Sequence, residues 1–186
     1  MKSALLLTVV SASLLLAGGG PVPRKAPYFV IQADSKNGFG PSQYPGIPVI
    51  MVFVLTDCSH CEFTANLLNG IEKDYSGRVR ILASAIDEHA ATEFAAFHQK
   101  HALNFPLGYN TLADAVHFLG YAPGEVPMPV IAFIDRNGII RAQFDGKDKE
   151  MVEPYQDKNF RIVLDQLIKE GQTASPPSAP KEKKTP

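Results

Sequence analysis

Eight consecutive residues, Pro48 to Leu55 (PVIMVFVL), carry no polar side chain and are rich in β-branched types. A short unbroken apolar run of this kind reads as a central strand buried on both faces. The residues directly after it have a different period. From Ser59 to Tyr75, Phe63, Leu67, Ile71 and Tyr75 recur every fourth position, with Leu68 beside them. That spacing predicts an amphipathic helix packed on the strand.

The same alternation continues along the chain. Arg78 to Ala85 (RVRILASA) reads as a strand. Asp87 is placed to cap a helix running to His101, with Phe94, Ala95 and Phe97 on its buried face. Thr111 to Leu119 reads as a shorter helix, and Pro129 to Ile134 (PVIAFI) as another strand. Asp135 to Gly138 is a turn, and Ile139 to Phe144 pairs back across it. Phe160, Val163, Leu164, Leu167 and Ile168 form a last helical stripe, with Asp157 at its start and Gly171 at its end. Tyr28 to Gln32 is a further short strand. The early elements require a parallel crossover and the late ones an antiparallel pair. The expected class is α/β, a mixed central sheet with helices on both faces.

The ends read differently from this domain. Residues 1–20 hold one lysine, an apolar run from Ala4 to Ala17, and then small residues. This is the layout of a secretory signal peptide, and the run is short against the ~20 apolar residues of a membrane span. An uncleaved anchor is the alternative. Residues 21–27 read as a linker and residues 28–171 as the folded domain. Residues 172–186 form a Pro/Lys-rich tail of disordered composition. A formal net charge of −1 over 186 residues argues against nucleic acid as a partner. Nothing in the sequence points beyond a monomer. Export would place the cysteines in an oxidising compartment.

There are two cysteines, Cys58 and Cys61, and they fall where the buried strand meets the helix. A bridge closing so short a loop constrains little of the unfolded chain, so stability is a poor reason for the pair. A structural zinc site needs more ligands than this stretch offers, and His89, His98, His101 and His117 do not form an obvious second half. No metal site is expected, although Cu(I) held by two thiolates is an alternative. A thiol at a helix start faces unpaired N–H groups and the positive end of the dipole, which favour thiolate. His60, between the cysteines, can add positive charge or a hydrogen bond near Cys58. Asp57, just before it, acts the other way.

The string FVLTDCSHC followed further on by VPMPVIAFIDRNGII resembles the thioredoxin fold, and more narrowly the TlpA/ResA-like exported thiol-disulfide oxidoreductases, related to the redoxins. The resemblance implies a three-layer fold and a redox-active Cys58–Cys61 disulfide that needs no other cofactor. It also implies a cis Met128–Pro129 bond beside the disulfide, where Met128 offers its backbone to a substrate. The partners implied are protein thiols or disulfides and a membrane or soluble recycling partner. The segment HALNFPLGYN resembles an insertion that such proteins carry.

There are departures from the pattern. Asp57 replaces an aromatic residue. Thr64 stands where the cytochrome c maturation reductases of this family carry a glutamate, and Val52 where thioredoxins carry a buried acid. These weaken the case for a dedicated reductant, and the His60 motif resembles oxidising and isomerising members. A thiol peroxidase is a further alternative. Its usual Pro-x-x-x-Thr/Ser-x-x-Cys setting is missing, because Thr56 is two residues before Cys58.

Overall fold

The computed structural model describes residues 19–122, 124 and 126–173. Among the described residues, eight strands form one sheet: β1 (Arg24–Lys25), β2 (Ile31–Gln32), β3 (Gly38–Phe39), β4 (Val49–Val54), β5 (Arg80–Ala85), β6 (Leu107–Tyr109), β7 (Val130–Ile134) and β8 (Ile139–Phe144). Four helices accompany them: α1 (Ser59–Asp74), α2 (Ala90–Lys100), α3 (Leu112–Leu119) and α4 (Gln156–Thr173). The strand order is β1-β8-β7-β4-β5-β6-β2-β3. β4 lies parallel to β5 and antiparallel to β7, so the mixed sheet is as expected.

All six residues of β4 are buried, and their alternation divides the core. Ile50, Val52 and Val54 face a cluster with Leu68 and Ile71 of α1 and Phe160 and Leu164 of α4. Val49, Met51 and Phe53 face the other side, against Phe118 and Leu119 of α3 and Phe29. Each side chain points opposite to the next along a strand, so one apolar run serves both layers.

Several expectations shift. Residues 21–27 are no linker, because Arg24 and Lys25 pair with Ile140 and Ile139. The Arg24 guanidinium donates to the Leu119 carbonyl at 2.9 Å and to Gln143 Oε1 at 2.6 Å. It thus satisfies a carbonyl at the end of α3, a partner too distant in sequence to be read locally. The segment resembling an insertion contains β6. Gly108 is required there, since a Cβ would collide with the Gln32 carbonyl of the neighbouring strand. Tyr28 to Gln32 narrows to the two residues of β2.

Asp87 does not cap α2, which starts after His89. Its carboxylate instead accepts from the His89 N–H and from Thr56. Ala95 is exposed, leaving Phe97 and half-buried Phe94 on the inner face. α4 starts at Gln156 and passes through Gly171 to Thr173. The proposed signal segment lies outside the described residues except for Gly19 and Gly20, as does the tail beyond residue 173. Among the described residues, no helix is long and apolar enough to cross a membrane.

Candidate active site

β4 ends at Val54, and four residues later Cys58 caps α1 in an extended conformation. Its Sγ accepts a hydrogen bond from the Cys61 N–H at 3.1 Å. The sulfur therefore takes the place of an N-cap oxygen and satisfies one of the free N–H groups of the first turn. Cys58 and Cys61 are joined as a disulfide, with Cα atoms 5.2 Å apart. Cys61 is fully buried in the core cluster beneath, whereas Cys58 is half-buried. Of the two sulfurs, Cys58 is the one on the accessible residue.

The loop into Cys58 is tied down from the neighbouring strand. Thr56 donates to Asp87 through its N–H at 2.8 Å and its hydroxyl at 3.2 Å. Asp57 is exposed. The His60 hydrogen bond runs to a different partner from the one expected. Its Nε2 lies 3.2 Å from the Met151 carbonyl oxygen. A carbonyl only accepts, so this nitrogen carries the proton. His60 can act on Cys58 through charge, while its hydrogen bond anchors it to the turn at Lys149–Met151.

The Met128–Pro129 bond is cis; Val22–Pro23 and Glu153–Pro154 are cis as well. Pro129 is buried, and Met128, half-buried, packs on the same cluster as Cys58. The Gly146 N–H donates to the Pro127 carbonyl at 3.1 Å, and a Cβ on Gly146 would collide with the Met128 backbone. Beneath this contact, Tyr121 Oη donates to Asp145 Oδ2 at 2.8 Å, and the Asp145 N–H to Asp148 Oδ2 at 2.7 Å. Burial, with the Asp145 hydrogen bond, pushes the Tyr121 hydroxyl far above the phenol range. Burial also raises the Asp148 carboxyl; the Asp145 N–H opposes this, and the charges of Asp145 and Glu150 add to it.

Behind Cys61 the polar groups are neutral. Thr64 and Gln156 are buried, and Gln156 Nε2 donates to Thr64 Oγ1 at 2.9 Å. Gln156 Oε1 is buried with no hydrogen-bond partner. Val52, the other position considered for an acid, is apolar core. Glu62 turns outward to Lys100 at 2.7 Å, and that hydrogen bond holds its carboxyl below its ordinary value. Among the described residues, no group of three or more His, Cys, Asp or Glu side chains is arranged to hold a metal ion.

Sequence reasoning missed Gly146, Met151 and Gln156. The only local signal was Asp145-Gly146 directly after β8, a turn pair. Met151 and Gln156 sit in a polar stretch without periodicity.

A disulfide stands at the start of a helix on a mixed sheet, and a cis proline stands directly before β7. Comparison with protein families matches residues 22–143. The chain belongs to the AhpC/TSA family. No curated protein sequence matches it. Among solved structures, this AhpC/TSA-family chain resembles a thiol:disulfide interchange protein of the thioredoxin family from Chlorobium tepidum. The TM-score is 0.64 at 19% identity, covering 78% of this chain and 97% of that one. It also resembles a secreted Mycobacterium tuberculosis disulfide oxidoreductase, with a TM-score of 0.55 at 17% identity, over 73% and 94% of the two chains. A third is the exposed lipoprotein thioredoxin of Streptococcus pneumoniae, with a TM-score of 0.56 at 19% identity, over 75% and 98%. The fold of this AhpC/TSA-family protein is thioredoxin-like.

Proposed function

We propose that the protein is an extracytoplasmic thiol-disulfide oxidoreductase that exchanges disulfides with other proteins through Cys58 and Cys61. The single observation that carries this is the asymmetry of the pair. Cys58 is half-buried with its sulfur on the Cys61 N–H, and Cys61 is fully buried. In the reduced protein the Cys58 thiolate attacks a substrate disulfide. A mixed disulfide forms and one substrate thiolate leaves. Cys61, having lost its proton, then attacks Cys58 Sγ and expels the second substrate thiolate. Two electrons pass to the substrate, and the disulfide seen here is regenerated. Run backwards, the same steps oxidise a substrate dithiol. The disulfide itself is the redox group, and no other cofactor enters.

Met128-Pro129 is the docking edge for the substrate backbone, braced from below by Gly146. Asp57 and His60 bias the Cys58 thiolate in opposite senses. With Thr64 and Gln156 in place of a buried acid, a moderately oxidising or general exchanger fits better than a dedicated reductant. The signal-like composition of residues 1–20 and the secreted and surface-exposed neighbours support export.

Replacing Cys61 with Ser should trap substrates on Cys58 as mixed disulfides, resolved by reducing agent and lost in the Cys58→Ser chain. Absence of trapped species from cells expressing C61S would count against exchange. The AhpC/TSA membership gives peroxide reduction as a second reading. Peroxide-driven oxidation of the reduced protein, at a rate far above that of a free thiol, would favour it.

A further inference from the structure

A groove of about 540 Å³ opens on the side of the sheet where β4, β5 and β6 end. Leu55, Ile86, Ala90, Tyr109 and Leu112 give it an apolar floor, and Leu112 is 46% exposed. Its walls carry three carboxylates, Asp87, Glu88 and Asp114, and no Lys, Arg or His lines it among the described residues. The crevice beyond the carboxyl ends of the strands is where open α/β sheets place their ligands. Leu55 is three residues before Cys58, exposed Asp57 lies between them, and Asp87 holds the intervening Thr56. The groove thus begins where the loop into the disulfide begins.

We infer, on the basis of the exchange function above, that this groove seats the substrate polypeptide next to its reacting cysteine and selects a segment with an apolar side chain flanked by Lys or Arg. The charge pattern decides the occupant. The α3 N-terminus, which could otherwise attract an anion, is already closed by the Thr111–Asp114 capping box. Asp87 is held by Thr56 and the His89 N–H, so its charge is fixed in place. A cationic segment meets a complementary field there, and an acidic segment or an anionic lipid surface meets a repulsive one. Such fields act mainly on association rate and on the choice of partner.

The test uses the full C61S chain in reduced form and two peptides of equal length. Each carries a Leu beside a cysteine blocked as a mixed disulfide with a small neutral thiol. One has Lys around the Leu and the other Glu. Cys58 attack transfers the peptide to the protein and releases the small thiolate, which is followed with time. The expected second-order rate is about tenfold higher for the Lys peptide at low ionic strength, shrinking toward parity as salt screens the field. The ratio should fall in Glu88→Gln, whose side chain is exposed, and fall further toward parity in the Glu88→Lys chain, where Asp87 and Asp114 remain. Leu112→Ser should slow the Lys peptide several-fold. Equal rates for the two peptides, or a ratio untouched by both Glu88 variants, would overturn the inference. The small neutral disulfide without peptide serves as reference. If it too fails to react with Cys58, the exchange function itself is at fault rather than the groove.

Discussion

His60 Nε2 lies 3.2 Å from the Met151 carbonyl oxygen, which ties the residue between the two cysteines to the segment before α4. The same segment reaches the opposite side of the site, where Gly146 packs on the Met128 backbone. Residues 145–151 therefore bridge the disulfide turn and the cis-proline loop. A stretch that carries no chemistry of its own thus touches both segments, which the pairing of β4 with β7 brings together.

The first prediction concerns the charges flanking Cys58. Asp57→Asn should increase the thiolate fraction of reduced Cys58, and His60→Ala should decrease it. Each shift should be a few tenths of a unit, the size expected of a charge near the surface. The pH dependence of Cys58 alkylation in the C61S chain measures both. Shifts in the same direction would mean that His60 acts only by anchoring the turn.

Gly146→Ala should disturb the site from behind. The added methyl collides with backbone at Met128, not with the end of a flexible side chain. The expected cost is about 1–3 kcal/mol of stability by overpacking, together with slower exchange on protein substrates. Urea unfolding and insulin reduction read the two effects separately.

Thr64 and Gln156 form a buried pair, and removing the Thr64 hydroxyl leaves Gln156 Nε2 with only the Met151 sulfur, 3.5 Å away. Thr64→Val should cost about 1–3 kcal/mol, because the Gln156 amide loses its hydroxyl acceptor without gaining water. The double change Thr64→Val with Gln156→Met should cost less than the sum of the two singles. Chemical denaturation of the four chains completes the cycle.

Asp148 gives a pH signature. Its carboxyl is raised in the folded protein, so the native state takes up its proton at higher pH than the unfolded chain does. The charged form then costs stability above the folded value, and that cost disappears as pH falls below the unfolded one, about 3.9. Asp148→Asn keeps an oxygen that can accept from the Asp145 N–H. It should therefore raise the melting temperature at pH 7, with a gain that shrinks toward pH 4. Melting curves across that range decide it, and a gain independent of pH would rule out relief of a buried charge.

The parts of this fold that follow from local pattern were legible in the sequence. Pro48 to Leu55 predicted a doubly buried strand, and β4 is buried at every position. The fourfold spacing from Phe63 to Tyr75 predicted α1 to within a residue of its end. Short strands held by distant partners were not legible. Arg24–Lys25 has no strand pattern and is fixed by pairing with β8, and Leu107–Tyr109 is fixed by pairing with β5, while Gly108 lets Gln32 approach its other edge. In the site, the cysteines and the cis proline could be read because their chemistry is tied to position in the motif. Met151 contributes a backbone carbonyl, which any residue could supply, and Gln156 contributes an amide whose partner lies on another helix. Neither leaves a trace in spacing.

The central claim is that Cys58–Cys61 is a working redox couple and not a fixed crosslink. Equilibrating the protein with glutathione or dithiothreitol buffers of graded potential, and counting free thiols at each step, measures it directly. The account predicts a midpoint between about −270 and −120 mV, the span from thioredoxin to a strong disulfide oxidant. A midpoint below about −300 mV, where structural disulfides of secreted proteins lie, would contradict it.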